Sequence, residues 1–213
     1  EKITLFDNFA SGDEMGENGI ENLCKCIQID VEDPVLFALA WRMKCQEVGT
    51  ITRDEFEQGC RSLGVSTILA LRESVVTLKR DLEINLRAIY RFCFNYCKDK
   101  NAKFLDIEIA FMVMEILLPP SFHRSLFISF LKSKETKCLS SDQWLMWIDF
   151  CNSVFNDFSN YDPAGPWPVL FDEYVTWAKE EKERERKKEK GEDGEKREMS
   201  LSGSGGDNTM DLT

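Results

Sequence analysis

Four times in this chain of 213 residues a polar loop ends in one apolar residue that leads straight into a helical run: Gly19-Ile20, Thr50-Ile51, Phe104-Leu105 and Cys138-Leu139. The second of these residues follows the first by 31 positions, and the fourth follows the third by 34. A cadence of this length marks a repeated supersecondary unit, here helices taken two at a time across loops of similar size. Few stretches alternate with period two, and helical periodicity runs through residues 20–29, 34–45, 52–64, 67–82, 84–98, 106–118, 121–134 and 140–155, after a short amphipathic opening at 2–10. Thr52-Arg53-Asp54-Glu55 and Ser140-Ser141-Asp142-Gln143 have the spacing of capping boxes. Gly64 and Pro119-Pro120 are helix stops. The predicted fold class is all-α, a compact helical domain.

The cadence is that of tandem EF-hand-like helix pairs, whose loops pair through the apolar residue at loop position eight. Calcium needs oxygen ligands at positions 1, 3 and 5 and a Glu at 12. With Ile51 at position eight, position 1 is Lys44 and position 5 is Val48, and only Glu55 at 12 fits. The third loop offers Lys98, Lys100 and Ala102, and the fourth Lys132, Lys134 and Thr136. The first keeps Asp13 and Glu17 but has Met15 between them and Cys24 at 12. Lysines where a dication would sit predict EF-hand-like helix pairs without calcium sites, and no metal or other cofactor.

Composition changes abruptly after Ala178. Residues 1–178 are expected to form one domain, and residues 179–213 a charged, then Gly/Ser-rich tail. The first part of the tail suits an exposed, charge-paired extension of the last helix. The rest has too little apolar area to offset ordering entropy and is expected to be disordered. The tail holds nine Lys+Arg and eleven Asp+Glu, so of the net charge of −11 the domain carries −9. An acidic domain argues against nucleic acid and anionic membrane and favours a basic protein surface. No apolar run reaches the length of a membrane span and no signal peptide is visible. The opening at Glu1 rather than Met is expected of a fragment. None of the eight cysteines forms a CxxC, and most lie beside apolar residues, as packed thiols of a cytoplasmic or nuclear protein do.

No catalytic signature occurs: no phosphate-binding Gly loop, no GxSxG, no HExxH. The only histidine, His123, opens a helix, where a surface position is expected. The residues alone point to a binding module, not an enzyme.

The C-terminal stretch SNYDPAGPWPVLFDEYVTW, residues 159–177, combines three prolines with Tyr161, Trp167, Phe171, Tyr174 and Trp177. The prolines set a rigid corner before a last helix with one buried side. A Trp-Pro pair in that frame is not demanded by helix physics. With Ala40-Trp41, Asp54-Glu55-Phe56, Leu63-Gly64, the run FCFNYCK, LDIEIA and Ser-x-Asp-x-Trp at Ser140 to Trp144, it resembles the defective-in-cullin-neddylation (DCN-like) family and its potentiating-neddylation domain, over about residues 2–178. The resemblance implies a scaffold-type co-ligase that promotes cullin neddylation without catalytic residues of its own. It implies two partners, the cullin C-terminal winged-helix region and the N-terminally acetylated conjugating enzyme, with the RING-box subunit of the cullin complex as a further one. By the same resemblance Asp142, Pro166 and Asp172 hold the cullin, with Pro166 standing where relatives carry Ala. Leu36, Leu39, Ala40, Ile51, Tyr96, Val113 and Ile116 form the acetyl-Met pocket, whose wall is expected to lack carboxylates. The rival reading from the residues is an EF-hand-like adaptor for an unrelated amphipathic helix.

Overall fold

A computed structural model describes the chain over residues 4–10 and 12–202, with the side chains of 122 and 188–202 left aside. The chain divides into two compact units, residues 1–168 and 169–213.

The first unit begins with a 3-10 turn, Phe6–Asn8, and the two-residue strand β1, Glu14–Met15. Helices α1 (Glu17–Ile27) and α2 (Val35–Met43) lead to strand β2 (Ile51–Thr52) and helix α3 (Arg53–Leu63). Then come α4 (Ile68–Glu73), α5 (Val75–Ile84) and α6 (Leu86–Cys97). Strand β3 (Leu105–Asp106) opens α7 (Ile107–Leu117), α8 is Phe122–Ser133, and strand β4 (Cys138–Leu139) opens α9 (Ser141–Ser153). The second unit is α10, Val169–Ser202.

The loops pair as their cadence predicts, with one change of register. β1 and β2 run antiparallel with Met15 opposite Ile51, and β3 and β4 with Leu105 opposite Leu139. Ile20, expected as the first loop's pairing residue, lies inside α1 instead. α1 also packs closely here: a Cβ on Gly19 would stand 2.5 Å from both Met15 Cγ and the Phe9 carbonyl oxygen. The helix starts at Glu17, so Ile20 is already helical and Met15, in the strand before it, is the residue that pairs. In that register the first loop's positions 1, 3, 5 and 12 are Asn8, Ala10, Gly12 and Gly19, still without a calcium ligand set. Arg53 holds this loop from within. Its guanidinium meets Asp7 at 2.9 Å and Asp13 at 3.3 Å, and donates to the Gly12 carbonyl and the Thr4 hydroxyl at 2.9 Å. Bonds from the Thr4 backbone and from Arg53 hold the Asp7 carboxyl down to about 2.

Both capping boxes form, Thr52 with Glu55 and Ser140 with Gln143. The run expected at 67–82 is two helices that meet at the buried Ser74, whose hydroxyl donates to the Leu71 carbonyl at 2.7 Å, a bond that bends a helix. α2 and α3 cross at Gly59, where a Cβ would come 2.3 Å from Met43 Cγ. In the second half, Tyr90 of α6 stacks on Trp144 of α9 at 4.2 Å, and the Trp144 indole N–H donates to the Tyr90 carbonyl at 2.9 Å. His123 is buried, not at the surface as expected. Its Nε2 lies 2.9 Å from the Val154 carbonyl oxygen, which an N–H there satisfies, and its ring meets Phe150 edge-on at 5.4 Å.

In α10, Leu170, Phe171, Tyr174, Val175 and Ala178 make one buried stripe. The helix continues past Ala178 as the charge-paired rod expected of the tail's first part, with Arg186 to Glu183 at 2.9 Å and Lys187 to Glu183 at 3.8 Å. The expectation of disorder for 203–213 falls outside the described residues. Among the described residues, no helix is long and apolar enough to cross a membrane.

One ion pair ties the first helix group together. Arg42 of α2 donates through Nε and Nη2 to the two carboxylate oxygens of Asp81 on α5, both at 2.7 Å, and Asn85 adds a third donor at 3.0 Å. The Asp81 side chain is 3% exposed and that of Arg42 28%. Removing one partner strands the other away from water, at a cost of about 2–3 kcal/mol, below the full buried-pair range because Arg42 keeps some solvent. Asp81→Ala should lose that much stability in urea unfolding with an unchanged m-value; a loss under about 1 kcal/mol would reduce the pair to a surface contact.

Candidate functional site

α2 carries Leu36, Leu39 and Ala40 on one face, since positions i, i+3 and i+4 of a helix lie together. Ile51 adjoins that face because the β1–β2 ladder holds it, and Tyr96 comes from the last turn of α6. These five side chains line a single cleft of about 300 Å³, the lower end of the size range of ligand pockets. Leu39, Ala40 and Ile51 are buried and make the floor. Tyr96 is held by Phe92, stacked at 5.0 Å, and by Phe37, edge-on at 6.5 Å. Burial pushes its phenol up, so it stays protonated and can donate to a ligand oxygen.

Val113 and Ile116 do not line this cleft. α7 exposes only the face of Glu108, Met112 and Glu115 and is buried at Ile107, Ala110, Phe111, Val113, Met114 and Leu117, so Val113 is interior packing and Ile116 lies partly covered on the same helix. Residues that sequence reasoning passed over complete the wall: Glu17, Ile20 and Glu21 from α1, Val31, and Val48-Gly49. Val31 and Val48, 56% and 61% exposed, were legible as lone apolar residues in polar loops. Glu17 and Glu21 correct the expectation of a wall without carboxylates. Both are exposed, at the mouth and not the floor, because α1 turns its apolar side, Leu23 and Ile27, into the core. Val48 and Tyr96 also border a second, polar cavity of about 450 Å³, where Lys100 pairs with Glu47 at 2.5 Å.

Asp142 is exposed in the first turn of α9, two residues beyond the Ser140 cap. Pro166 is exposed after a turn closed by the Gly165 N–H donating to the Asp162 carbonyl at 3.0 Å. Trp167 meets Phe150 edge-on at 5.5 Å. A Cβ at Gly165 would stand 3.0 Å from the Asp162 oxygen and 3.1 Å from the Trp167 ring, which explains the glycine before the Pro-Trp-Pro corner. Asp172, in the second unit, sits half-buried in the first turn of α10.

Comparison with known proteins gives a consistent picture. A sequence model described as cullin binding matches residues 70–177. Human DCN1-like protein 5 is 33% identical over 183 residues, which cover 83% of this chain and 76% of that protein. Human DCN1-like protein 4 is 32% identical over 186 residues, covering 84% of this chain. DCN1-like protein 2 of Dictyostelium discoideum is 28% identical over 183 residues, covering 84% of this chain and 68% of that protein. The chain spans 62% of the length of DCN1-like protein 4.

All eight cysteines are free thiols. Desolvation pushes Cys45 and Cys151 up to about 12 and Cys60 to about 11, and raises Cys93 as well. A raised value leaves almost no thiolate at pH 8, and thiolate is the reactive form. Cys138 is the exposed one. Brief maleimide treatment at pH 8, read by mass spectrometry, should therefore mark Cys138 first and leave Cys45, Cys60, Cys93 and Cys151 unmodified. Fast labelling of any of those four would mean an activated thiol.

Proposed function

Since this chain is a member of the DCN1-like, cullin-binding family, we propose that it is a scaffold-type co-ligase that promotes cullin neddylation and contributes no catalytic residue. The match of residues 70–177 to the cullin-binding family carries the reading, because that stretch takes in Asp142, Pro166 and Asp172. Each of these contacts the basic C-terminal winged-helix region of a cullin, and the net −9 of residues 1–178 supports such a partner. The cleft over Leu39, Ala40 and Ile51 takes the acetylated N-terminal Met of the neddylation conjugating enzyme. Its apolar floor supports this: a free α-ammonium there would lose water without gaining a counter-charge, whereas an acetyl amide needs only a donor such as the Tyr96 hydroxyl. Holding the charged enzyme and the cullin lysine together lowers the barrier by proximity, and the RING-box subunit is the expected third member of the complex. Free, packed thiols suit a reducing compartment, and we place the protein in the cytoplasm, the nucleus or both.

A pull-down with a cullin C-terminal domain tests the reading. Binding should weaken as salt rises. Asp142→Ala combined with Asp172→Lys should reduce it more than about a hundredfold, on the scale of two charged hydrogen bonds, while helix content is retained. Pro166→Ala should bind equally well or better. Unchanged binding by the folded double variant would remove these residues from the contact.

A second measurement addresses the cleft. An acetyl-Met peptide should bind at least about tenfold more tightly than its unacetylated twin, roughly 1.4 kcal/mol. The carboxylates at the mouth keep that figure modest. Equal affinities would return the cleft to ordinary surface.

A further inference from the structure

The cleft over α1 and α2 has fixed charge of one sign only. Glu17 and Glu21 are the carboxylates among its lining side chains, and among the described residues no lysine or arginine lines it. They stand one helical turn apart on α1, so their charges face the same way. Glu21 approaches Lys25 at 3.7 Å, with both side chains more than half exposed, a contact too solvated to neutralise it. Among the described residues Glu17 has no ion pair. The polar cavity on the far side of Val48 differs. There Lys100 is matched by Glu47 at 2.5 Å, and Lys98 turns to the Asp99 carbonyl at 3.5 Å. The two lysines of that cavity are balanced by two carboxylates in its own lining, Glu47 and Asp99, so the unbalanced charge beside the cleft is that of α1.

The floor and the mouth therefore ask for different chemistry. Leu39, Ala40 and Ile51 accept an apolar, uncharged end, and Glu17 and Glu21 accept a cation next to it. A peptide anchored at the floor advances at most about 3.3–3.6 Å per residue, so the cation has to lie within the next few residues. We infer that this cleft selects among N-termini by the charge that follows the buried residue: its occupant is a peptide with an N-acetylated, apolar first residue and Lys or Arg among positions two to five, held against Glu17 and Glu21. This rests on the reading of the cleft as a seat for an acetylated N-terminus, and adds the sequence class that the seat prefers.

Fluorescence anisotropy on the full chain tests it, with three acetyl-Met peptides that differ only in carrying Lys, Ser or Glu at positions three and five. The Lys peptide should bind about tenfold more tightly than the Glu peptide at low salt, the scale of two partly exposed charge pairs, with the Ser peptide between them. The gap should shrink as salt rises. In Glu17→Gln/Glu21→Gln the three affinities should converge, and in Glu17→Lys/Glu21→Lys their order should invert; both positions are exposed, so the fold tolerates the changes. Leu36→Arg, which alters a half-buried wall residue, should weaken all three peptides together. Equal affinities in the unaltered protein, still weakened by Leu36→Arg, would overturn the charge selection and leave the cleft reading standing. A Lys preference that survives Glu17→Gln/Glu21→Gln would place the selecting charge elsewhere and also overturn it. No binding of any acetyl-Met peptide would overturn both.

Discussion

Two residues of antiparallel ladder in each of the two loop pairs decide where α1, α3, α7 and α9 begin. Met15 faces Ile51 and Leu105 faces Leu139, and each strand but β1 runs directly into a helix. Two further bonds close the ends of the ladders, from the Arg53 N–H to the Asp13 carbonyl at 2.8 Å and from the Ile107 N–H to the Lys137 carbonyl at 3.0 Å. Ladders this short are marginal by themselves. They persist because Met15, Ile51, Leu105 and Leu139 are all buried, so hydrophobic packing and backbone pairing act on the same residues.

In a calcium-loaded loop the dication would gather oxygens and fix the turn. Here the first loop is gathered by a guanidinium of the protein's own. Arg53, the first residue of α3, meets two carboxylates, a carbonyl and a hydroxyl, and lies over the Phe6 ring at 4.6 Å. An arginine is always charged and its planar fork reaches several acceptors at once, which suits it to this task better than lysine. The helix group is thus held in one arrangement by a built-in cation.

The same ladders place the surfaces proposed to carry the function. Ile51 pairs with Met15 and also forms the floor of the cleft, so the cleft inherits the rigidity of the first loop pair. Asp142 follows β4 and the Ser140 capping box, so its position is set by the second loop pair. Anchor and charge are held by short-range backbone geometry, which suits a protein whose proposed task is to present partners to each other rather than to change shape.

The sequence by itself determined the helical class, the loop cadence, both capping boxes, the family resemblance and five of the cleft residues. The first three are local properties, since periodicity and cap chemistry are written within a few residues, whereas the cleft residues came through the resemblance. Tertiary structure alone decided the rest. Met15 took the pairing place expected of Ile20 because α1 begins at Glu17, and Gly19 lets that helix pass the Phe9 carbonyl, a contact between segments that no local pattern encodes. Val113 went to the core because it lies on α7 away from the exposed face of Glu108, Met112 and Glu115, among its buried residues. His123 was buried by the Val154 carbonyl and the Phe150 ring from a later part of the chain. Glu17 and Glu21 became part of the cleft because α1 and α2 share a wall, and a carboxylate on a helix face gives no sign in sequence of what lies opposite. In each case the deciding term was which surfaces meet, and that is settled only when the whole chain buries its apolar area together.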